Sequence, residues 1–151
     1  MKNSSLQTYA LIGLALLLGG LLPFSAASAQ NDAQFITHFP PSSTVCANTG
    51  IPISVTMQNT GDTNWNSGTG YALGSQNPRD NNIWGGWIGL SRNVVPGEQF
   101  EFVKWINTPS TPGTYNFQWQ MVQDGVEWFG ATTPNISVQV QNCAPVPPTP
   151  P

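Results

Sequence analysis

The sequence predicts an all-β chain folded as an antiparallel β-sandwich. Three observations carry that expectation. No helical period survives beyond the apolar run near the start, short segments of alternating apolar and polar residues recur, and Gly, Pro and Asn turns separate them. The longest of these segments, Thr111 to Gly130 (TPGTYNFQWQMVQDGVEWFG), reads as a hairpin. In it Tyr115, Phe117, Trp119 and Met121 alternate with Asn116, Gln118 and Gln120, so every large apolar group falls on one face. Asp124-Gly125 supplies a two-residue turn, and Glu127, Trp128 and Phe129 begin the return strand.

Thr111-Pro112-Gly113 forces a corner just before this strand, so Tyr115 enters it directly after a turn. Immunoglobulin-like sandwiches place there a tyrosine whose hydroxyl bonds back to the corner. An immunoglobulin-like sandwich is therefore expected, with this strand central in one sheet.

The other elements follow in order. Gln34 to Thr37 reads as a short edge strand stopped by Pro40-Pro41, with Ser43 to Cys46 continuing the edge. Ile51, Ile53, Val55 and Met57 alternate with polar residues in a half-buried strand. Gly68 to Leu73 gives a shorter strand, with Tyr71 and Leu73 on one face, and Gly74 to Asn82 a polar loop. After the turn at Val94-Val95-Pro96-Gly97, Gln99 to Ile106 forms a strand whose apolar set changes from Phe100 and Phe102 to Val103 and Trp105. That slip predicts a bulge, or burial on both faces. Asn135 to Gln141 closes the domain, with Ile136, Val138 and Val140 facing inward.

The chain of 151 residues divides into three parts. Residues 1–29 read as a secretory signal peptide: Lys2, an apolar run from Tyr9 to Leu22, and Ala27-Ser28-Ala29 ahead of Gln30. A retained membrane anchor is the competing reading, but the run is glycine-interrupted and falls short of the ~20 residues a spanning helix needs. Residues 30–143 form one domain, and residues 144–151 (APVPPTPP) a proline-rich tail suited to extended polyproline II. The expected location is secreted or at the cell surface, with no membrane span after cleavage. In that setting Cys46 and Cys143, the only cysteines, read as a disulfide closing nearly the whole domain.

Composition excludes several function classes. Charged residues make up 7 % of the chain and net charge is −3, which argues against nucleic acid as a partner. His38 is the single histidine, and no pair of carboxylates is nominated for a shared cleft, so no catalytic residue, metal or cofactor is expected. Asp62 to Gly68 resembles the start of a calcium loop, but its glycine falls one place late and Leu73 stands where a bidentate Glu belongs. Asn135-Ile136-Ser137 matches a glycosylation sequon on an expected strand.

The tryptophans divide into two groups. Trp65, Trp105 and Trp119 are assigned to the core with Tyr115 and Phe117. Trp84, Trp87 and Trp128, with Asn81 and Asn82, are the candidate ligand-binding residues. Strict alternation would send Trp84 and Trp87 to opposite faces, leaving an exposed indole beside asparagines.

Several stretches together resemble a known family. They are Met57-Gln58-Asn59-Thr60-Gly61-Asp62-Thr63-Asn64-Trp65, Trp84-Gly85, Val95-Pro96-Gly97-Glu98, PGTYNFQWQM and Trp128-Phe129-Gly130. In this order they look like a four-tryptophan (FW) domain, the Ig-like module of next-to-breast-cancer-one (Nbr-type) autophagy receptors that also occurs in secreted bacterial proteins. The resemblance covers roughly Thr44 to Gln141. Trp65, Trp84 and Trp119 match three of the family's tryptophans, while Val55 stands at the fourth position. The resemblance implies a docking platform, not an enzyme. Protein or peptide docking is thus the first expectation for function; a carbohydrate-binding module and a structural spacer are the alternatives.

Overall fold

The computed structural model describes residues 30–143. Ten strands and no helix make up these residues: β1 (Ala33–Phe39), β2 (Thr44–Cys46), β3 (Gly50–Asn59), β4 (Tyr71–Ser75), β5 (Ile88–Gly89), β6 (Gln99–Asn107), β7 (Gly113–Phe117), β8 (Trp119–Gln123), β9 (Glu127–Phe129) and β10 (Ile136–Gln141). The signal-peptide and tail assignments lie outside the described residues.

One layer has the order β1-β3-β6. The other is built from two ladders, β2-β10-β7 and β5-β4-β8-β9. They share a single run, because β7 and β8 are separated only by Gln118. The expected hairpin is therefore divided between partners: β8 pairs with β4 and β9, while β7 pairs with β10. The gap is bridged by Thr133, whose N–H donates to the Trp119 carbonyl at 2.8 Å and whose hydroxyl accepts from the Trp119 N–H at 3.0 Å. Its turn also differs from expectation. Gln123 faces Glu127, so the loop is Asp124 to Val126 rather than two residues, with Gly125 at φ 69°. The pairing is antiparallel except between β2 and β10, which run parallel.

The core lies between the layers. Trp65, Trp84, Trp119, Phe102, Phe117, Met57 and Leu73 are among its fully buried side chains. Tyr115 is partly buried and packed against this cluster. Its hydroxyl donates to the Thr111 carbonyl at 2.8 Å, the corner bond that its position after Pro112-Gly113 implied. Burying a ring of this size removes ~150–250 Å² from water, so the aromatic layer dominates cohesion.

Trp105 departs from expectation: it is 72 % exposed, not buried in the core. The register of β3 with β6 is continuous from Gly50↔Asn107 to Gln58↔Gln99, so no bulge accounts for the apolar slip. Phe100, Phe102 and Ile106 form the buried row, and Lys104, on the same alternation, is half-buried among them. Val103 and Trp105 face out, beside Ser54 and Pro52 of β3. The lysine is accommodated because its Nζ donates to the carbonyls of Gly85, Gly86 and Trp87. This bond set ties the first layer to the loop ahead of β5. Burial lowers the Lys104 pKa below its ordinary value.

Polar residues fix the ends of the sandwich. Asn59 is fully buried; its amide donates to the carbonyls of Thr63 (2.8 Å) and Val94 (3.1 Å) and accepts from the Gly61 N–H (3.2 Å). This single side chain closes the turn between β3 and Trp65, which explains an asparagine within the Met57–Trp65 stretch. At the opposite margin Cys46 and Cys143 are joined by a disulfide spanning 97 positions.

Candidate functional site

Of the residues nominated for ligand binding, the structure brings Trp87 and Trp128 together and sends Trp84 elsewhere. Trp84 is fully buried, and its Nε1 donates to the Asn116 carbonyl at 2.7 Å. It packs edge-on against Phe117 at 5.7 Å. Trp84 is thus a core residue and not a ligand-facing one. Strict alternation does not hold here because residues 83–86 form a turn and bend, with Gly85 at φ 86° and Gly86 at φ 73°.

That turn delivers Trp87 to the outer face of the β5-β4-β8-β9 ladder. There it meets Trp128 at 6.0 Å between ring centroids, with the planes at 89°. Both indoles are half-buried. The floor beneath them is Gly74 of β4, where a Cβ would approach Trp128 Cη2 to 2.4 Å and Trp87 Nε1 to 3.2 Å. Val122, the cross-strand partner of Trp128, is buried beside this floor.

Two charged side chains hold the corner. Trp87 Nε1 donates to Asp80 Oδ1 at 2.7 Å, which fixes the plane of that indole. The Arg79 guanidinium carbon stands 5.6 Å from the Trp128 ring centroid, within cation–π range. A cleft of about 280 Å³ opens beside the pair, lined by Asp80, Trp87, Gln123, Asp124, Glu127 and Trp128, among others. Glu127 is oriented by Asn31, whose amide donates to Glu127 Oε1 at 2.9 Å and Gln123 Oε1 at 3.0 Å.

The asparagines contribute unequally. Asn81 spends its side chain inside the loop, donating to the carbonyls of Gln76 and Pro78 and accepting from the Ile83 N–H. Asn82 is exposed. Sequence reasoning missed Arg79 and Asp80 as members of the site. The available signal was their place immediately before the Trp84–Trp87 segment, where an aromatic cluster can recruit a cation and an indole N–H needs an acceptor.

Two further features lie apart from this corner. Asp62, the first residue of the calcium-like stretch, accepts from the Gln30 backbone N–H at 2.5 Å. Among the described residues, no three His, Cys, Asp or Glu side chains converge as metal ligands, and no helix is long and apolar enough to cross a membrane. A second apolar surface lies on the outside of the β1-β3-β6 sheet, where Phe39 and Val103 are each 62 % exposed alongside Trp105.

None of the curated proteins matches this chain. The sequence profile described as the Ig-like domain from next to BRCA1 gene matches residues 38–141, most of the described residues and more than half of the chain. Strands β2 to β10, the tyrosine corner and the buried Asn59 turn all fall inside that span, and the chain belongs to the family of Ig-like domains from next to BRCA1 gene.

Proposed function

We propose that this chain is a non-catalytic docking module working outside the cytoplasm, and that it holds a protein or peptide at the Trp87–Trp128 corner. The observation that carries this reading is the preorganisation of two half-exposed indoles: Gly74 beneath them, Asp80 bonded to one and Arg79 stacked on the other. Ordered aromatic anchors beside a polar rim are the anatomy of interaction hot spots, because they lose little side-chain entropy on binding. The disulfide supports an oxidising location, as does the apolar leader-like stretch in residues 1–29.

A sugar-binding reading has less support. Two perpendicular rings offer no flat platform, and the Asn81 amide is already occupied. The test is selection of a random peptide library on the disulfide-bonded chain, with a glycan panel in parallel. Enriched peptides should lose binding to the Trp87→Ala variant and keep it with Trp105→Thr. Glycans bound through the same indoles, with no peptide enriched, would overturn the reading.

A further inference from the structure

We propose that the cleft beside Trp87 and Trp128 is a receptor for a cationic side chain, so that the docked partner is a basic peptide segment presenting arginine or lysine. This rests on the docking reading above and names the chemistry of its ligand.

The corner supplies both halves of a cation site. Two indoles set at 89° to one another line a single cleft. An ammonium or guanidinium over an indole face within ~6 Å is attracted by the ring quadrupole. The molecule already does this internally, since Arg79 stacks on Trp128 at 5.6 Å. That ring therefore accepts a guanidinium in this setting.

Charge points the same way. Asp80, Asp124 and Glu127 line the cleft. Among the described residues the one salt bridge is Arg92–Glu98, so no lysine or arginine pairs directly with these three carboxylates, and Arg79 is engaged with the Trp128 ring instead. Asp80 and Glu127 are nevertheless held in place, by Trp87 Nε1 and by the Asn31 amide. Those bonds use neutral donors and leave the negative charge to be met from outside. An acidic or purely apolar partner would meet the same carboxylates uncompensated.

An incoming cation competes with Arg79 for Trp128 and is repelled by it. Arg79 therefore sets the affinity: the site is open only to a partner whose charge is presented better than the one already there.

The test uses fluorescein-labelled octapeptides of Gly and Ser carrying a central pair of arginines, lysines, norleucines or glutamates. Fluorescence polarisation on the disulfide-bonded chain reads their affinity at low and high salt. The arginine and lysine peptides should bind roughly tenfold more tightly than norleucine, with the difference shrinking as salt rises. The double variant Asp124→Asn, Glu127→Gln, at exposed positions, should bring them down to the norleucine level. Arg79→Gln should tighten them, and Glu101→Gln, which removes a charge on the other sheet, should change nothing. A norleucine peptide binding as tightly as the arginine one would overturn the cation assignment and leave the docking surface standing. Binding of none of the four would overturn both.

Discussion

Trp128 rests against Gly74: a Cβ added to that glycine would stand 2.4 Å from Cη2 and 2.6 Å from Cζ3 of the indole. A methyl group cannot fit without moving the ring, and the ring is braced by Trp87 and Arg79. Gly74→Ala should destabilise the domain by about 2 kcal/mol, the usual cost of overpacking. Urea unfolding checks the stability, and peptide binding should fall further than stability alone requires because the corner opens.

Trp84 and Trp105 should respond in opposite ways to substitution. Trp84 is fully buried and bonded to Asn116, so Trp84→Ala should cost ~3–5 kcal/mol. Trp105 is 72 % exposed, and Trp105→Thr should change stability by no more than ~0.5 kcal/mol. Chemical denaturation of the two variants side by side checks the assignment.

The Cys46–Cys143 bond closes a loop spanning 97 positions. Restricting so long a segment of the unfolded chain stabilises the fold by about 4.7 kcal/mol in the entropic account. Replacing both cysteines by serine should lower the unfolding free energy by that amount. Domains of this size have ~5–15 kcal/mol in all, so the variant should be marginal but folded.

His38 gives the domain an acid sensitivity. Its ring packs edge-on against Phe35 at 5.2 Å, and its buried Nδ1 lacks a partner. Burial pushes its pKa below the ordinary 6.5, so the unfolded chain binds more protons than the folded one between those two values. The His38 contribution is therefore complete above pH 6.5 and declines as pH falls towards the folded-state pKa. Thermal unfolding of wild type should show that decline across the window, and His38→Gln should flatten it.

Much of the architecture was readable from residue order. The Tyr115 corner, the shared face of Phe117, Trp119 and Met121, and the Asn-rich turn before Trp65 all follow from local pattern and turn chemistry. The β6 face was not readable, because a lysine occupies the inward row and two large apolar residues occupy the outward one. What reconciles Lys104 with that row is a set of carbonyls 17 to 19 positions earlier in the chain, which no local pattern contains. The site was half legible for a similar reason. Trp87 and Trp128, nominated by their type and setting, do meet at one corner, but a glycine turn rotated Trp84 into the core. The partners of the exposed pair, Asp80 and Arg79, are recruited by tertiary contact.

The most direct measurement is a peptide titration followed through the six tryptophan indole N–H signals of the ¹⁵N-labelled chain. Adding the arginine peptide should move the Trp87 and Trp128 signals and leave Trp65, Trp84, Trp105 and Trp119 in place. A shift confined to Trp105, with the Trp87 and Trp128 signals unmoved, would put docking on the opposite sheet and contradict the account.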